Sequence, residues 1–102
     1  MDDADGPIQL PIEDSLDLHT FPPGVVADVV AEYLRAARAA GLPEVRLIHG
    51  RGRGVQRATV HAVLAELRWV VRAYEAPPDR GGWGATVVVL RAPDDKDTAA
   101  AD

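Results

Sequence analysis

Leu47-Ile48-His49-Gly50-Arg51-Gly52-Arg53-Gly54 is the stretch on which the reading of this chain turns. Val45, Leu47 and Ile48 form an apolar run of the kind that makes a buried strand. It leads into three glycines at alternate positions with an arginine in each gap. Beyond them Val60, Val63, Leu64 and Leu67 fall at the i, i+3, i+4, i+7 spacing of an amphipathic helix. The pattern predicts strand, glycine-rich turn, helix. Glycine permits φ > 0 and lets a ligand approach the main chain. The first turn of the following helix offers unpaired N–H groups at the positive end of its dipole. Together these make a seat for a phosphate. Gly50, Gly52 and Gly54 would supply the backbone, and Arg51, Arg53 and Arg57 the charge. The competing explanation is an ordinary tight turn with solvated arginines. His49 adds a side chain of the type that titrates near neutral pH.

Working outward, 102 residues make one domain, and 47% apolar residues suffice for a small core. The absence of cysteine excludes disulfides and thiolate metal sites. No apolar run is long enough to span a membrane, and the acidic start Met1-Asp2-Asp3-Ala4-Asp5 is unlike a signal peptide. A cytoplasmic protein with no membrane partner is expected; the sequence leaves the oligomeric state open and favours a monomer. The net charge of −5 argues against a nucleic-acid partner only until its distribution is read. Residues 16–92 carry ten arginines against seven acids, a net of +3, and the remaining residues carry −8. The body is basic, and its cations are arginines, whose planar fork suits phosphate.

Before the central stretch, residues 1–13 read as a flexible acidic arm. Residues 15–19 alternate, with Leu16 and Leu18 inward and Asp17 and His19 outward. A turn at Thr20-Phe21-Pro22-Pro23 precedes a helix at 24–40, stopped by Gly41. Strand two is 45–49 and helix two 55–68. Strand three is 69–75, and a loop with Gly81-Gly82-Trp83-Gly84 leads to a last strand at 85–91. Residues 93–102 read as a disordered acidic tail. The order is β-α-β-α-β-β. Right-handed crossovers in one direction put both helices on one sheet face, and the strand ends share an edge where ligands bind in open α/β sheets. His19, His49 and the Trp83 loop meet at that edge by topology.

Leu16-Asp17-Leu18-His19, then His49-Gly50-Arg51-Gly52, then Gly81-Gly82-Trp83-Gly84-Ala85-Thr86, in this order and spacing, resemble the Smr (small MutS-related) domain. The likeness runs from about residue 14 to 91, so the domain is placed at 14–92, and it suggests a stand-alone small member of that family. It implies an α/β (α+β) two-layer sandwich with a mixed four-stranded sheet. The fold is similar to the C-terminal domain of a bacterial translation initiation factor. The last strand would run antiparallel between the second and third, bringing Trp83 and Gly84 beside the His49–Gly54 turn. The family binds nucleic acid, and several members nick DNA or RNA, which links the resemblance to DNA repair and RNA processing. Thr20 departs from the glycine that usually follows the first motif.

Cleaving a phosphodiester needs an activated water, a stabilised phosphorane-like state and a proton for the leaving oxygen. Asp17 and His19 lie on one side of one strand, where an aspartate would orient an imidazole; the bland alternative is a backbone cap and a strand-end histidine. His49 is the third candidate catalytic residue, and its inward register equally suits a histidine that props the turn. Trp83 is a surface for stacking an unpaired base or a cover for the sheet end. Trp69 reads as packing and His61 as surface. No metal site is assigned. Mg2+ is the one cofactor entertained, and it would want more carboxylates than the pattern supplies. A nicking endonuclease and a non-catalytic nucleic-acid adaptor remain as alternatives, with DNA or RNA as partner.

Overall fold

The computed structural model describes residues 12–51 and 54–93. The N-terminal arm through residue 11, Gly52 and Arg53 in the turn, and the tail from residue 94 lie outside the described residues. The strands are β1 (Ser15–Asp17), β2 (Glu44–Ile48), β3 (Val70–Glu75) and β4 (Ala85–Leu90), and the helices α1 (Val26–Ala39) and α2 (Val55–Ala65). The sheet order is β1-β2-β4-β3, with β1 parallel to β2 and β4 antiparallel to both of its neighbours. This is the mixed four-stranded sheet expected, with β4 inserted between β2 and β3.

On α1, Val26, Val30, Leu34 and Ala37 recur every three or four residues and are fully buried. The helix ends in a two-bond cap. The Gly41 N–H reaches the Arg38 carbonyl (3.0 Å) and the Leu42 N–H reaches that of Ala37 (3.1 Å), with Gly41 at φ 86°. The helix begins later than the pattern suggests. Pro23–Val25 is a 3-10 turn, because Pro22 is held extended at ψ 144° and the chain must bend sharply to start. The second helix stops at Ala65 rather than 68. Its end tightens into i→i−3 bonds, Glu66 N–H to Val63 and Leu67 N–H to Leu64, so that the chain can turn into β3.

Both helices pack on one face of the sheet. Leu18, Val45, Leu47, Val88 and Leu90 meet Val30 and Leu34 of α1 and Val60 and Leu64 of α2, with Trp69 closing the far end. Each fully buried Val or Leu contributes about 1.5–3 kcal/mol before entropy is counted. Arg38 lies over the Trp69 ring at 5.0 Å and donates to the Arg91 carbonyl, which ties the end of α1 to the sheet. Near the other chain end, the Tyr33 hydroxyl donates to the Glu13 carbonyl, and burial pushes the phenol up to about 12.

The opposite sheet face carries a smaller cluster of Ile48, Ala76, Ala85 and Val87. Segment 77–84 folds back over it, and Arg46 holds that segment by donating to the Arg80 carbonyl at 2.8 Å. Among the described residues no helix is long and apolar enough to cross a membrane.

Candidate nucleic-acid interface

The Leu18 N–H donates to the Ile48 carbonyl at 2.9 Å, extending the β1–β2 ladder one residue beyond β1. With Leu18 in the core, strand alternation puts Asp17 and His19 outside. One carboxylate oxygen of Asp17 accepts twice from His19, from the backbone N–H at 3.0 Å and from ring Nδ1 at 2.6 Å. The backbone N–H of His19 holds the Asp17 carboxyl below its ordinary value, the ring hydrogen bond and the imidazole charge add to this, and slight burial opposes it. An ionised carboxylate only accepts, so the imidazole proton sits on Nδ1 and Nε2 is left for other partners. The side chains are 48% and 71% exposed, so a macromolecule can reach both.

At the end of β2 the chain is gripped by the loop before β4. The Gly84 carbonyl accepts from the N–H groups of His49 (3.0 Å) and Gly50 (2.9 Å). Gly50 and Gly54 stand at φ 87° and 85°, in the left-handed region that glycine adopts without a Cβ penalty. The Gly54 carbonyl then accepts the first bond of α2, from Ala58.

His49 is 6% exposed, with Nδ1 3.1 Å from the Gly50 carbonyl and Nε2 2.9 Å from the Thr86 hydroxyl. Burial lowers its pKa first. The hydrogen bond to Gly50 works the other way, and the charges of Arg57 and His61 on α2 lower it further. Thr86 pairs with Leu47, and Leu47 faces the helices. The His49 ring therefore lies on the helix face, whereas Asp17 lies on the opposite face. No hydrogen bond joins His49 to the other two titratable candidates among the described residues.

Arg51 leaves the turn toward the other loop. It donates to the Gly81 carbonyl at 3.3 Å, and its guanidinium lies 5.6 Å from the centre of the Trp83 ring. Trp83 is half exposed, engaged by Arg51 and open to solvent. Arg57 sits on α2, close enough for its charge to act on His49. Gly52 and Arg53, the other candidates of the turn, lie outside the described residues. Among the described residues no three His, Asp, Glu or Cys side chains come together as a metal site.

Thr86, which holds His49, has no role in the sequence reading, whereas Gly84 packs against the turn where the resemblance put it. A faint signal for the first exists, since Thr86 is the one polar side chain in Ala85–Leu90.

The topology and the two interlocked glycine loops define an α+β domain of Smr type. A family profile described as the Smr domain matches residues 16–91, and the chain belongs to that family. Endonuclease MutS2 of Thermus thermophilus is 44% identical over 62 residues, 61% of this chain and 8% of that protein. Endonuclease MutS2 of Clostridium botulinum is 36% identical over 80 residues, 78% of this chain and 10% of that protein. The chain thus spans only 8–10% of the length of these relatives. The crystal structure of the Smr domain of Thermus thermophilus MutS2 superposes with a TM-score of 0.72 at 37% identity, covering 78% of this chain and 99% of that one. YdaL, a stand-alone small MutS-related protein from Escherichia coli, gives 0.74 at 34% identity, covering 79% of this chain and 66% of that one.

Proposed function

We propose that this Smr domain binds nucleic acid along the edge where β1 and β2 end, and that Asp17 and His19 there hydrolyse a phosphodiester. The observation that carries the reading is the exposed Asp17–His19 pair, 2.6 Å apart, at the strand end beside the glycine turn. Similarity to MutS2 proteins named as endonucleases supports it. In this reading the N–H groups of the turn and Arg51 hold the phosphate oxygens. Neutral His19 takes a proton at Nε2 from the attacking water. The new O–P bond forms as the ester P–O bond breaks, and the leaving oxygen takes a proton from solvent. Asp17 keeps the imidazole oriented and balances the charge it gains. His49, on the other face, acts through the turn as a positioning residue.

The test is to incubate the purified protein with supercoiled plasmid and with structured RNA, with and without Mg2+, and to measure binding across salt concentrations. Nicking, with affinity that falls as salt rises, is expected, because phosphate contacts release counterions. Undetectable binding at low salt overturns the reading. Binding without cleavage under any condition moves the domain to the adaptor class.

A further inference from the structure

Thr86 and His49 are 37 residues apart in sequence, and both are nearly inaccessible, at 2% and 6% exposed. Their hydrogen bond belongs to a short chain whose direction follows from donor and acceptor chemistry. The Gly50 carbonyl can only accept, so His49 Nδ1 carries the ring proton and donates to it at 3.1 Å. In the neutral ring Nε2 is then the acceptor, so the Thr86 hydroxyl donates to it at 2.9 Å. The peptide joining Gly50 to Arg51 is planar and trans, so its carbonyl and its N–H point in opposite directions. A carbonyl anchored on the imidazole therefore turns the Arg51 N–H away from it. Among the described residues that N–H has no backbone acceptor.

We infer that Thr86 is a positioning residue for the glycine turn: its hydroxyl, donating to Nε2, fixes where the His49 imidazole sits, so that Nδ1–H keeps hold of the Gly50 carbonyl and the Arg51 N–H stays presented to a phosphate oxygen. The ligand part of this rests on the function proposed above, and the positioning part does not. Without the hydroxyl the ring keeps its Nδ1–H bond to the Gly50 carbonyl but is tethered at that nitrogen alone. It can then shift together with the carbonyl, and the Gly50–Arg51 peptide loses its fixed anchor.

The test compares Thr86→Val, close in shape and lacking the hydroxyl, with Thr86→Ser, which keeps it. Ring 15N shifts of His49 report the tautomer at about pH 8, where an imidazole is neutral. The Arg51 amide shift reports the peptide. Inorganic phosphate and a fluorescein-labelled single-stranded oligonucleotide report ligand binding. In the wild-type protein His49 should be the Nδ1–H form and phosphate should move the Arg51 amide. The valine variant should keep the Nδ1–H form but move the Nε2 shift, shift the Arg51 amide and bind the oligonucleotide about fivefold more weakly, the loss expected for one buried hydrogen bond. Serine should restore all three. An unchanged Arg51 amide in the valine variant overturns the positioning inference. Failure of serine to rescue overturns it too, by assigning the effect to the threonine methyl. If the Arg51 amide responds to the valine substitution but phosphate never moves it in the wild type, the phosphate role falls while the positioning role stands.

Discussion

Gly84 lies so close to Arg51 that a β-carbon on it would stand 2.9 Å from the Arg51 Cγ and 3.4 Å from the Gly50 carbonyl carbon. The two glycine loops, 30 residues apart in sequence, interlock through this contact and through the Gly84 carbonyl. Gly84→Ala must push the loops apart, since the atoms met are near or in the backbone. We expect a loss of about 1–3 kcal/mol of stability, the usual cost of overpacking. Denaturant unfolding checks this. An unchanged midpoint would mean that the loops separate freely.

Arg51→Ala should leave the fold nearly intact. Its hydrogen bond is long and its stacking on Trp83 half exposed, so the stability change should stay below about 1 kcal/mol. Nucleic-acid affinity should fall, and the slope of log K against log salt should flatten by about 0.7–0.9, the value of one phosphate contact. A parallel drop in affinity with the same slope would place Arg51 in the loop latch alone.

His19→Ala and Asp17→Ala should each slow cleavage at least about tenfold, given the 10²–10⁴-fold contribution of a general base. Binding should persist in both, because neither residue belongs to the turn. Single-turnover cleavage with binding measured in parallel decides it. Full activity in both variants removes the pair from the chemistry, and joint loss of binding makes this strand end part of the grip.

The fold should weaken on mild acidification, through His49. Burial places its folded pKa below the unfolded value near 6.5, so the unfolded chain binds more protons in the window between the two. The stabilisation is complete above the unfolded pKa and is lost as pH falls through the folded one. Melting followed from about pH 8 to 5 should show this fall, and His49→Gln should reduce it. A variant with the same pH profile would assign the effect to other groups.

Much of this was legible along the chain because it is local. Alternation placed Leu18 in the core and Asp17 and His19 outside it. The 3.6-residue period placed α1, and Gly41 marked its end, because one residue at φ > 0 closes a helix whatever surrounds it. The inward register of His49 was also readable, since it continues Val45 and Leu47. The position of β4 inside the sheet was not in the periodicity; it came from the resemblance of three motifs to a family, because a hydrophobic pattern says which face is buried and not which strand is the neighbour.

The tertiary structure alone decided the partners. Arg51 reads from sequence as a phosphate clamp or a solvated loop charge, and the fold sets it on Trp83 and the Gly81 carbonyl. His49 reads as one of three catalytic candidates, and the fold buries its ring, with Thr86 on Nε2, while the Asp17–His19 pair stays exposed. The reason is common to both. A side chain's type and face are fixed by its own segment, but the atoms it meets come from chain 30 or more residues away, delivered by strand pairing that no local pattern encodes.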